Sequence, residues 1–269
     1  MRHALPRLAL LAAGALSCLG AQAHRPWLLP SATLTDGPAP VVSVDAAISE
    51  DLFEFDSFPL VLDTLRVTAP DGSSVTPDGR VDAKRRSTFD VKLAQKGTYR
   101  IAGVTDTAMA SWKAGGETKR WRGAPAALAK EVPADAPDLQ VTRQLARAET
   151  FVTNETPGAL APALTGEGLE LQPLTNPTDL SVGDASRFRV LLDGQPYANA
   201  DVTLIRGGNR YRYKMGELAL RTDAAGEFGV AWPEAGRWWL GISHGARAPG
   251  APAPARRESY SATFEVLPK

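Results

Sequence analysis

The sequence predicts an all-β fold, built as two β-sandwich domains in tandem. Three observations carry this. Short runs rich in β-branched and aromatic residues recur along the chain, several with the period-two alternation of half-buried strands. Turn dipeptides separate them, among them Asp71-Gly72, Asp78-Gly79, Asp193-Gly194, Gly207-Gly208 and Ala225-Gly226. A Pro/Gly-rich stretch without periodicity, 154–168, divides the runs into two groups.

In chain order, the first group is Val41–Ile48, Leu60–Val67, Thr88–Leu93 and Thr98–Val104. A single helical stretch is expected at Ala124–Lys130. The second group is Phe188–Leu192, Asp201–Ile205, Glu227–Ala231, Arg237–Ser243 and Tyr260–Val266. The expected organisation is a leader at 1–23, a first sandwich at 24–153, a linker at 154–168 and a second sandwich at 169–269. Within the last, the turns Asp193-Gly194-Gln195-Pro196 and Thr222-Asp223-Ala224-Ala225-Gly226 separate strands, and Gly236-Arg237-Trp238-Trp239 opens the next one. That order is typical of small immunoglobulin-like or transthyretin-like sandwiches, with Gly226 ending a tight turn.

The leader is read from Arg2 and Arg7, the apolar run Leu8–Ala21 and the Ala21-Gln22-Ala23 signal. Together these are the charged, hydrophobic and cleavage regions of an export signal. Cleavage after Ala23 would place the protein in the periplasm with His24 as its first residue. Cys18, the one cysteine, lies in the leader, so the mature chain is expected to hold no disulfide and no thiolate ligand. A rival reading makes Cys18 a lipid-acylation site, but Ala15 stands where such a signal wants leucine. Removing the leader's two arginines leaves 28 basic against 30 acidic residues, net −2. No basic excess points to nucleic acid or an anionic membrane surface. No later apolar run approaches the roughly 18 residues of a membrane span.

Of three histidines, the mature chain keeps His24 and His244. A terminal histidine chelates through its α-amine and ring Nδ1. Both groups must lose a proton to do so, which sets a steep fall in affinity below about pH 6. Pro26 has no amide N–H, so a run of deprotonated backbone nitrogens cannot wrap the ion beyond Arg25. The terminus therefore supplies two or three ligands, and His244 is the remaining imidazole. That nitrogen set suits Ni(II), Co(II) or Cu(II), and is also the set of a copper histidine brace. Glu54 and Asp56, on one face of an expected strand, are candidate carboxylate ligands. The basic segments Lys84-Arg85-Arg86 and Lys119-Arg120-Trp121-Arg122 read as solvated surface or as contacts for anionic groups. No nucleophile elbow, phosphate loop or paired catalytic carboxylate motif is present, so no enzyme is expected.

The opening Ala23-His24-Arg25-Pro26-Trp27-Leu28-Leu29-Pro30-Ser31 resembles the mature start of periplasmic domain-of-unknown-function proteins related to the nickel-uptake component NikM. Those proteins begin A-H-x-x-W-L-x-P-S. Gly168–Leu174 and the closing Glu258–Val266 match as well. The resemblance implies an accessory or substrate-recognition component of nickel or cobalt uptake, partnered by a permease or an outer-membrane receptor. By position, it assigns His24 to the family's terminal histidine, Trp27 and Pro30 to residues fixing its strand, and His244 to a second-domain histidine. The rival readings are a metal-free sandwich module that contacts a partner through the proline-rich loop 249–254, and a copper-brace redox enzyme.

Overall fold

The computed structural model describes residues 24–62, 64–157, 164–245 and 255–269. The leader with Cys18, residues 158–163 of the expected linker and the proline-rich loop 249–254 lie outside the described residues. The first part of the chain carries β1 (Arg25–Pro30), β2 (Leu34–Thr35), β3 (Val41–Ser49), β4 (Phe58–Pro59), β5 (Leu65–Thr68), β6 (Ser74–Val75), β7 (Asp78–Asp82) and β8 (Ser87–Lys92). Two long strands follow, β9 (Gly97–Ala114) and β11 (Gln140–Asn154), with β10 (Glu117–Gly123) and α1 (Pro125–Glu131) between them. The remainder is β12 (Leu169–Pro173), β13 (Ala185–Leu192), β14 (Gln195–Pro196), β15 (Asp201–Arg206), a 3₁₀ turn at Asn209–Tyr211, β16 (Leu218–Arg221), β17 (Glu227–Ala231), β18 (Gly236–His244) and β19 (Arg256–Val266).

The fold is all-β, as the sequence predicts, and two sandwiches are built around one shared layer. A ten-stranded sheet runs β16-β15-β18-β19-β11-β9-β5-β6, with β10 on β9 and β2 on β11. A five-stranded sheet, β1-β3-β8-β7 with β4, faces its β5–β9–β11 part, and a four-stranded sheet of β12, β13, β14 and β17 faces its β15–β18–β19 part. The junction is the parallel pairing of β11 with β19, from Arg143↔Arg256 to Thr150↔Thr263. Strand alternation puts the two cores on opposite faces of this layer. Ala148 and Val152 of β11 enter the first core, whereas Phe151 between them enters the second.

Local chemistry explains the individual elements. Asp193-Gly194, both at positive φ, close the two-residue hairpin from β13 to β14, as Asp-Gly does in a type I′ turn. Gly226 sits at φ 73°, and a Cβ there would stand 2.6 Å from the Val190 carbonyl, so the turn admits only glycine. The Asp223 carboxylate fastens that turn by accepting from the N–H groups of Ala225 and Glu227, 2.8 Å each. The expected strand at Leu60–Val67 is shorter, Leu65–Thr68. Leu60 and Leu62 still insert into the first core, so burial rather than strand pairing accounts for their apolar character.

Candidate functional site

The start of β1 is held down from three sides. The Pro26 carbonyl accepts from Trp239 Nε1 of β18 and Ser261 Oγ of β19, each at 2.9 Å. The buried Trp27 indole donates to Ser49 Oγ at 2.8 Å. The Arg25 guanidinium lies 5.8 Å from the Trp239 ring, 3.7 Å from Glu217 and 3.1 Å from the Met215 sulfur. His24 is thereby placed on the open end of the β1–β3 ladder. Its Nε2 stands 3.7 Å from Glu50 Oε1, its ring 5.7 Å from Phe58, and both the His24 and Glu50 side chains are about half exposed or more, at 49% and 63%.

The acidic run beside it differs from the expected strand. Residues 50–57 form turns, so Glu54 and Asp56 do not share a strand face. Asp56 caps the turn, its carboxylate accepting from the N–H groups of Glu50 (3.2 Å) and Asp51 (2.9 Å) and from the Ser57 hydroxyl (2.7 Å). Desolvation works against its charge, but the bonds from Ser57, Asp51 and Glu50 outweigh it and hold the pKa below the usual carboxylate value. Glu54 faces Arg210 at 3.8 Å. The acidic residue that meets His24 is Glu50.

His244 stands elsewhere. Trp238, Leu240 and Ile242 of β18 point into the second core, and His244 continues that face, its Nδ1 sharing a 2.9 Å hydrogen bond with the Tyr197 hydroxyl. Trp239 points to the opposite face, toward Pro26 and β1. His24 and His244 therefore lie on opposite sides of the shared sheet. The pairing expected from the histidine count is not formed, for a reason of strand parity. Trp238 and Trp239 divide the same way, one indole per face.

Around His244 is a charge cluster that sequence reasoning missed. Glu258 pairs with it across the β18–β19 ladder. The Glu258 side chain is fully buried and forms an ion pair with Arg256 Nε. Burial pushes the Glu258 pKa up, against the lowering effect of Arg256. Arg256 also donates two 2.7 Å bonds to Asp193, which, with the Gly168 N–H, hold that carboxylate at about 2.

A second polar group lies deeper. The fully buried Glu149 of β11 accepts from Arg100 (3.2 Å), Arg147 (3.3 Å) and the Tyr260 hydroxyl (2.7 Å). Arg100 continues to the Leu171 carbonyl and Arg147 to Thr165 Oγ1, while Glu170 takes the N–H groups of Thr165 and Gly166. Glu149 is the centre of a buried lock between the shared sheet and β12. The signal available was its company: Arg147 two residues before it on the same strand face.

Among the described residues, no group of three or more His, Cys, Asp or Glu side chains is placed to hold a metal ion. No helix among them is long and apolar enough to cross a membrane.

These features define an all-β, two-sandwich protein with its charged groups gathered at strand ends and at the layer junction. The chain belongs to the family described as Domain of unknown function (DUF4198), which matches residues 21–246. That match carries no link to NikM or to nickel uptake, and names no catalytic activity. No curated protein matches the chain. Among solved structures, it is similar to a DUF4785 family protein from Legionella pneumophila at 10% identity and TM-score 0.24, covering 80% of this chain and 50% of that one. The chain thus spans half the length of the Legionella protein. The D0-D1 domain of Intimin is similar at 10% identity and TM-score 0.21, with 88% and 97% covered. The adhesin InvE of Yersinia pseudotuberculosis is similar at 12% identity and TM-score 0.22, with 89% and 58% covered.

Proposed function

We propose that this is an exported, non-catalytic protein that captures a divalent transition metal at a processed N-terminus and passes it to an uptake system in the cell envelope. The observation that carries the reading is the placement of His24. Cleavage after Ala23 would release an α-amine on a residue whose ring already stands 3.7 Å from a solvent-facing carboxylate, Glu50. Amine and imidazole Nδ1 make a chelating nitrogen pair, and Glu50, which faces Nε2 on the other edge of the ring, orients that ring. Nitrogen-rich sets of this kind take Ni(II), Co(II) or Cu(II). Two donors at an exposed strand end leave coordination positions open to a receiving partner, which suits transfer better than storage. A permease or outer-membrane receptor is the class of partner that would receive the ion. The copper-brace reading lacks its second imidazole, because His244 faces the other side of the sheet. The metal-free module reading draws support from Phe58, Tyr211 and Tyr213, which expose 58%, 83% and 101% of their surface.

Mass spectrometry of the exported protein should find His24 at the N-terminus. Calorimetric titration of Ni(II), Co(II) and Cu(II) into that protein should then give one site per chain. His24→Ala should abolish binding, Glu50→Gln should weaken it, and His244→Ala should leave it unchanged. Retention of full affinity in His24→Ala sinks the proposal.

A further inference from the structure

The long strands carry an arm whose function the metal site does not use. β5 leaves β9 after Gly103, and β19 leaves β11 at Arg143. Beyond those points, β10, β9 and the start of β11 form a three-stranded ribbon. Its two faces differ. Ala108 and Ala110 point to one face, where they are buried and Trp121 Nε1 reaches Glu131 at 2.8 Å. The opposite face is a grid of side chains set by register: Arg122, Met109 and Thr142 in one row, Arg120, Ser111 and Gln140 in the next. These line a cavity of about 380 Å³. A second cavity of about 400 Å³ adjoins it through Ser111 and Gln140 and continues toward Lys113.

The first cavity is lined by arginines and uncharged groups, with no acid among them. Arg120 and Arg122 point to the same face two residues apart, roughly 7 Å along the strand. Neither takes part in an ion pair or hydrogen bond among the described residues, whereas twelve other arginines there are held in ion pairs. Of the nearby acids, Glu117 pairs with Lys119 at 2.8 Å, Glu131 takes the Trp121 indole, and Asp138 lines the second cavity together with Lys113. Charge on an edge strand also discourages edge-to-edge pairing, but that purpose needs no cavity beside it. Cavities of a few hundred Å³ with convergent polar groups are the usual form of a small-molecule site.

We propose that this trough binds a small organic anion carrying at least two oxyanion groups, carboxylate or phosphate. Arg120 and Arg122 grip the anionic groups through charge-assisted hydrogen bonds, with the Ser111 hydroxyl and the Gln140 amide meeting the polar body of the ligand. The site lies on the arm and stands independently of the metal reading.

Calorimetry of the full-length chain in chelator-treated buffer tests it, with citrate as the carboxylate probe, fructose 1,6-bisphosphate as the phosphate probe and fructose as the neutral control. The expected result is millimolar or tighter binding of one of the two anions, no binding of fructose, and weakening as salt is raised. Preference between the anions names the oxyanion class. Arg120→Gln with Arg122→Gln should weaken binding at least about tenfold. Ser111→Glu, which sets a carboxylate in the floor, should do the same. Both variants alter partly or fully exposed positions, and an unchanged melting temperature verifies their fold. Absence of binding by either anion, or equal affinity in the double arginine variant, overturns the proposal.

Discussion

At the scale of the residue, Glu258 is the group most out of keeping with its surroundings. Its side chain is fully buried, neither carboxylate oxygen meets a donor in good hydrogen-bond geometry, and Arg256 supplies its compensating charge. Burial raises its folded-state pKa above the ordinary 4.5. The folded chain then binds more protons than the unfolded one just above that value, so this residue's contribution to stability declines as pH rises through the window. Glu258→Gln keeps the shape and removes the charge, while Arg256 retains its two bonds to Asp193. The variant should melt about 2 °C higher than the parent at pH 7, and the two should converge near pH 4. Thermal melts at both pH values check this; a gap of the same size at both would show that the charge of Glu258 is not the cause.

At the scale of the element, β11 does the joining. It pairs antiparallel with β9 along all fifteen residues and parallel with β19 along eight. Its Glu149 binds arginines from β9 and β11 and a tyrosine from β19, while Arg100 extends the group to β12. Removing one partner from a buried ionic group strands the others without compensation, at a cost of about 3–5 kcal/mol. Glu149→Gln leaves Arg100 and Arg147 facing a neutral amide, and should lose stability of that order in urea unfolding. A loss below about 1 kcal/mol would show that the remaining partners satisfy one another. The same residues explain why β11 was not legible in the sequence. Arg147 and Glu149 occupy inward positions where an alternating strand carries apolar side chains, so the period-two signal is cancelled where the strand matters most. Strands with apolar inner faces, such as Glu227–Ala231, could be read to the residue. The candidate site was half legible. The scarcity of histidine points to His24, and its neighbour Glu50 lies four residues before Glu54, the nearer of the two candidate carboxylates. Strand parity, which separates His24 from His244, depends on which face of β18 meets which core, and no local pattern encodes that.

At the scale of the molecule, the shared sheet decides how the two sandwiches relate. A boundary near 154–168 separates their sequences, yet the strand before it, β11, is hydrogen-bonded to the last strand of the chain. Phe151 from the first segment stacks on Phe264 from the last, at 6.1 Å between centroids. β1 crosses in the other direction, its Trp27 and Leu29 packing with Ile205 of β15 and Trp239 of β18. Cutting between the segments would expose one edge of β19, one face of β1 and the arginines that Glu149, Glu170 and Tyr260 surround. Each large apolar side chain so exposed forfeits about 1.5–3 kcal/mol, and small domains are only about 5–15 kcal/mol stable in all. The two sandwiches should therefore fold as one unit. Calorimetry of the mature chain should give a single transition with equal calorimetric and van't Hoff enthalpies. Fragments 24–153 and 169–269, made separately, should lack dispersed amide resonances in NMR spectra and gain them on mixing, because each supplies the strand edge that the other lacks. Two resolved transitions, or a fragment with a native-like spectrum on its own, would show that the β11–β19 seam is a contact between independent domains rather than the core of one.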